Sequence, residues 1–158
     1  MINNRYVRWA WLLAFLFSFQ VASGATSDSG TKSKSPDTTS SGSDLDVVVL
    51  TSTNFERMVG DGSVWLVEFY APWCTHCMSF ASTYSEIARH FHSNSKLKVR
   101  VGKVDTTQQR ALGQRFSVHA YPSFFVVHGS SVYEFEGSRS KNGLIQFATK
   151  GYKDQPVS

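Results

Sequence analysis

Cysteine is scarce in this chain: there are two in 158 residues, Cys74 and Cys77. A zinc site wants about four ligands, and no second cysteine pair exists to complete one. With both thiols inside one short motif, none is left for a structural bridge elsewhere. A ring so small would itself restrain the unfolded chain very little. Charge of one sign is not in excess either. Of 16 basic side chains two arginines fall in the first 24 residues, where none of the 12 acids does, so the remainder carries +2. That is an ordinary surface and excludes a nucleic-acid footprint. There is no Asn-x-Ser/Thr acceptor for N-linked sugar and no internal repeat. No apolar run reaches the ~20 residues that a membrane-spanning helix wants.

The chain does hold a leader pattern. Arg5 and Arg8 precede an apolar stretch from Trp9 to Phe19, and small residues follow at Ala22 to Ala25. Residues 1–24 are therefore expected to be a signal peptide, with an uncleaved signal anchor as the alternative. Residues 25–44 read as a flexible linker, because Ser, Thr and Gly dominate and no large apolar side chain is present to offset ordering. Residues 45–152 form one folded domain, long enough for a real core, and 153–158 a tail. The final Lys153 to Ser158 is not a KDEL-type retention signal. Routing through the secretory pathway places the two cysteines where disulfides form and persist.

Within the domain, Val47 to Leu50 reads as a short buried strand. A brief helix follows at Asn54 to Val59, capped by Ser52 or Thr53. Val64 to Tyr70 is nearly all apolar, as a strand covered on both faces should be. Phe80, Tyr84, Ile87, Ala88 and Phe91 recur at helical spacing, which predicts a helix from Cys74 to His92. Leu97, Val99 and Val101 alternate with polar residues, predicting a third strand with Lys98 and Arg100 on its wet face. A helix is expected from Thr107 to Phe116 with Ala111 and Leu112 inward. Strands at Ser123 to Val127 and Ser131 to Glu136 flank a hairpin turn. Ser140 or Asn142 then caps a last helix that turns Leu144, Ile145 and Ala148 inward.

The chemistry concentrates in Trp73-Cys74-Thr75-His76-Cys77. A strand delivers Cys74 to a helix start, where unpaired N–H groups and the helix dipole favour negative charge. A thiol there ionises more readily, and the thiolate is the nucleophile of disulfide exchange. Cys74 is thus expected to be the exposed attacking thiol and Cys77, one turn on, the shielded resolving one. His76 stands between them and can stabilise the Cys74 thiolate. Glu68 is an acid in an apolar strand, so it must be neutral or paired, unless it ends the strand at a solvated edge. Lys103, on the same face as Val99 and Val101 by alternation, is its candidate partner. His90 and His92 suit a helix C-terminus and are too few for a metal site.

Four segments, Leu66 to Cys77, Gly102-Lys103-Val104-Asp105, Tyr121-Pro122-Ser123 and Phe135-Glu136-Gly137-Ser138-Arg139, resemble the thioredoxin superfamily, and in particular protein disulfide isomerase-type catalytic domains. Thr75 departs from the commonest isomerase motif, which has Gly there. The resemblance implies an α/β, thioredoxin-like fold with a central mixed sheet flanked by helices on both faces. It implies that Glu68 and Lys103 form a buried pair relaying protons for Cys77. It also implies that Arg139, otherwise a plain loop arginine, can swing towards Cys77, and that the Tyr121–Pro122 bond is cis. Trp73, Tyr121 and Pro122 would form a shallow client-binding surface. The implied activity is thiol–disulfide oxidoreductase and protein disulfide isomerase, with no cofactor and no metal. Expected partners are cysteine-containing client proteins, with an upstream oxidase, glutathione or a reductase as the redox source. The chain is expected to be a monomer in the endoplasmic reticulum lumen, meeting a membrane only if the leader is uncleaved; secretion is the alternative. Two other functions stay open: a thioredoxin-like disulfide reductase, and a client-binding chaperone or adaptor with secondary redox activity.

Overall fold

The computed structural model describes residues 47–158; the leader, the linker and the domain's first two residues lie outside them. Five strands form one sheet in the order β1-β3-β2-β4-β5: β1 Val47–Val49, β2 Val64–Tyr70, β3 Val99–Asp105, β4 Ser123–His128 and β5 Ser131–Glu134. The first three are mutually parallel. β4 runs antiparallel to β2, and β5 antiparallel to β4. Helices α1 Phe55–Val59, α2 Thr75–Ser93, α3 Arg110–Arg115 and α4 Lys141–Thr149 fill the connections. Among the described residues no helix is long and apolar enough to cross a membrane.

Strand alternation sorts the side chains into two cores. Leu66, Val99, Val101, Phe124 and Val126 face α2 and α4, meeting Tyr84, Ile87, Phe91, Leu144 and Phe147. Trp65, Val67, Phe69, Val104, Phe125 and Val127 face α1 and α3, meeting Phe55, Leu112 and Phe116. Glu68 shares the parity of Leu66, and Lys103 that of Val101, so both point to the α2 side. Gly102 points the other way, where an added Cβ would lie 2.6 Å from Leu50. The β2 and β3 chains leave the sheet at the same end because they are parallel, and antiparallel β4 enters it there. Cys74, Thr106 and Pro122 consequently converge at one edge, the usual position of a site in such sheets.

Several local expectations are corrected. Asn54 occupies the N-cap of α1; its side chain makes no capping bond but accepts the N–H of Thr51 at 2.8 Å. Leu97 belongs to a short 3-10 turn before β3 and is exposed. Lys98 takes a left-handed conformation there, so the alternation starts only at Val99. Arg100 is not simply solvated: it stacks over Trp65 and bonds Asp61 at 2.6 Å. α3 starts at Arg110, and Ala111 is exposed while Leu112 and Gly113 turn inward. The helix presses onto Thr106, whose Cγ2 leaves no room for a Cβ at Gly113. β5 ends at Glu134, before the expected Glu136. Ser140 caps α4 through its Oγ, which accepts the Gly143 N–H, and Phe147 is buried where Ile145 is only half-buried. Val49 is exposed, since β1 is an edge strand paired on one side.

Candidate active site

β2 ends at Tyr70, and Ala71, Pro72 and Trp73 carry the chain across to α2. Cys74 is the N-cap, with extended backbone, and its Sγ accepts the Cys77 N–H at 3.3 Å. That is the role a Ser or Asp side chain usually plays at a helix start. The two cysteines are unbonded thiols. The expected contrast in exposure is not found: Cys74 is 7% exposed and Cys77 5%. Capping folds the Cys74 sulfur back over the first turn, and Ala71, Tyr70 and Tyr121 pack around the pair.

The pair differs in electrostatics instead. Cys74 is lowered below the ordinary thiol range by a hydrogen bond from the Cys77 thiol and by the N–H groups of Cys77 and His76, against burial and the Glu68 charge. Cys77 is pushed up to about 12, first by burial, then by its hydrogen bond to Cys74 and the charges of Cys74 and Glu68. What His76 brings to the sulfur is its backbone N–H; its side chain is exposed.

Behind Cys77 lies a cavity of about 140 Å³ lined by Glu68, Lys103, Cys77, Tyr84, Met78 and Pro72, among others. Glu68 is buried and directly beside Lys103 in the β2–β3 register. Burial raises its carboxyl to about 7, and the Lys103 charge only partly opposes this. Cys77 and Glu68 therefore line one cavity. The Tyr84 hydroxyl donates to the carbonyls of Leu66 at 3.1 Å and Gly102 at 2.8 Å. It thereby ties the helix of the thiols to both strands that carry Glu68 and Lys103. Tyr84 was readable in the sequence only as a core position. The available signal was its phenol, because a buried Tyr hydroxyl needs a polar partner.

The Tyr121–Pro122 bond is cis. Tyr121 meets Trp73 edge-on at 5.9 Å, and Trp73 is 70% exposed. Pro122 itself is buried. Arg139 is exposed in the loop before α4 and does not line the cavity. The structure thus brings together Cys74, Cys77, Glu68, Lys103, Trp73, Tyr121 and the backbone of His76, and leaves Arg139 outside. Among the described residues no group of three or more His, Cys, Asp or Glu could hold a metal ion.

The family described as Thioredoxin matches residues 46–150. The chain is 37% identical over 100 residues to protein disulfide-isomerase A4 of Homo sapiens, covering 63% of this chain and 15% of that protein. It is 32% identical over 116 residues to protein disulfide-isomerase A6 of Homo sapiens, covering 72% and 26%. It thus spans about a quarter or less of the length of these relatives. Its structure is similar to the solution structure of the first thioredoxin domain of mouse protein disulfide-isomerase A4. There the TM-score is 0.62 at 32% identity, covering 76% of this chain and 89% of that one.

Proposed function

The chain belongs to the thioredoxin family, in a domain closely related to those of protein disulfide-isomerases A4 and A6, and on that footing we propose that it is a thiol–disulfide oxidoreductase of the protein disulfide isomerase type. Its substrates are disulfides and thiols of client proteins in the secretory pathway, with the endoplasmic reticulum lumen as its location. The observation that carries this reading is the seat of Cys74 at the N-cap of α2, where its Sγ accepts the Cys77 N–H at 3.3 Å; the same arrangement lowers that thiol while burial raises its partner.

In reduction, the Cys74 thiolate attacks one sulfur of a client disulfide, forming a mixed disulfide and expelling the other client sulfur as thiolate. Cys77 then gives its proton to Glu68 and attacks the Cys74 sulfur. The Cys74–Cys77 disulfide forms and the second client thiolate leaves, so the client has gained two electrons and the protein has lost two. Oxidation is the reverse. In isomerisation a client thiolate attacks the mixed disulfide before Cys77 does. Glu68, raised to about 7, can take a proton and return it near neutrality. Lys103 limits how far its charge is disfavoured. The His76 N–H supports the Cys74 thiolate. Arg139 is assigned an approach to Cys77 during reoxidation, which requires its loop to move. Trp73 and Tyr121 are assigned to the client, and buried Pro122, through its cis bond, to holding Tyr121 in place.

Cys74→Ser should drop insulin-disulfide reduction and refolding of a scrambled, disulfide-bonded client to background. Cys77→Ser should accumulate mixed disulfides, visible on non-reducing gels. Turnover that survives in Cys74→Ser defeats the proposal.

A further inference from the structure

Tyr121 has two neighbourhoods. On one side it packs against the Cys74–Cys77 cluster and meets Trp73. On the other it lines a second groove, about 530 Å³ in volume, together with His119, Ser117, Gln114, Arg110 and Thr107. The two features are continuous through one side chain, so a chain lying over Tyr121 from Cys74 passes directly into the groove.

The groove has a charge and no internal counter-charge. Elsewhere on the surface Arg100 holds Asp61, Arg115 holds Glu56 and Lys141 holds Glu86. Arg110 is exposed and holds no acid among the described residues. Asp105, the acid nearest in sequence, does not line the groove. Its Oδ1 accepts the Thr107 N–H at 2.9 Å and the Thr107 hydroxyl at 2.6 Å. Around Arg110 stand neutral polar side chains, the amide of Gln114 and the hydroxyls of Thr107 and Ser117, which suit an extended polypeptide with free N–H and C=O groups.

We infer that this groove receives the client segment flanking the reacting cysteine, and that Arg110 selects clients carrying Asp or Glu in that segment. The inference rests on the oxidoreductase reading and adds a specificity-determining residue to it; Arg110 touches no reacting atom. An exposed charge of this kind speeds productive encounter and loses its effect in salt.

The test uses the full protein and three synthetic peptides with one disulfide each, identical except for Glu, Gln or Lys on both sides of the cysteines, with reduced glutathione supplying electrons. At low ionic strength kcat/KM should be about two- to fivefold higher for the Glu peptide than for the Gln peptide, and lowest for the Lys peptide, with kcat alike for all three. Raising the salt should erase the difference. Arg110→Gln should bring the Glu-to-Gln ratio close to unity, and Arg110→Glu should reverse the order. Equal kcat/KM for the three peptides overturns the groove assignment and leaves the oxidoreductase reading standing. A preference that persists in high salt or in Arg110→Glu has another source and overturns it too. Absence of turnover with every peptide brings down both readings.

Discussion

Asp61 stands just before β2 and Glu68 near its end, and each acid works against a cation carried by β3, Arg100 for the first and Lys103 for the second. Burial pushes both carboxyls up. At Asp61 it is outweighed by bonds from Arg100, Ser63 and Trp65, which hold the group at about 2. At Glu68 it wins, and the carboxyl rises to about 7. One strand pair thus carries a clamped carboxylate at one end and a carboxyl raised to about 7 at the other. The difference lies in how much water is excluded and how many donors point at the oxygens.

Changes at the Glu68 end should strike turnover, and changes at the Asp61 end should strike stability alone. Under the proposed mechanism Glu68→Gln removes the proton acceptor for Cys77 and should slow insulin reduction by about 100-fold. The same variant tests the linkage. A carboxyl raised from 4.5 to about 7 binds its proton more tightly in the folded state. Stability should therefore fall as pH rises from about 4.5 to 7, by at most about 3 kcal/mol. Urea titrations across that range should lose this slope in Glu68→Gln.

Tyr84→Phe leaves two buried carbonyls without their hydroxyl donor and should cost about 1–3 kcal/mol, read from the urea midpoint. A cost near zero would mean that the hydroxyl does not tie α2 to the sheet. Asp61→Asn keeps a bond acceptor but discards the charge. It should cost about 1 kcal/mol at neutral pH after allowance for solvent screening, with turnover unchanged. Because the native Asp61 lies below its ordinary value, its contribution is complete above about pH 4 and fades as pH falls through about 2. A loss of turnover in Asp61→Asn would erase the distinction between the two ends. The mildest change is Lys98→Gly, which relieves a left-handed residue at φ 50°. Relief and the added freedom of the unfolded chain nearly cancel, for a gain of a few tenths of a kcal/mol in thermal melts.

Most of the fold was legible because the signals are short-ranged. Val64 to Tyr70 is an apolar strand in the sequence and in the structure, and the helix from the motif to His92 shifts by one residue at each end. The errors fall where a tertiary neighbour overrides a local pattern. Ala111 lost its inward place because Gly113 allows α3 to close on Thr106, and nothing within the helix sequence announces Thr106. Arg100 looked like a solvated strand residue because its partner Asp61 lies 39 positions away.

The thiol pair, its place at a helix start and the odd acid of β2 are set by residue order alone, since spacing along one chain fixes which groups share a turn or a face. How deeply Cys74 is covered, which cavity Glu68 and Cys77 share, and which groove Tyr121 lines are set by packing. Each depends on the separation of segments distant in the chain. That separation comes from side chains filling space between a sheet and its helices, and no local periodicity encodes it.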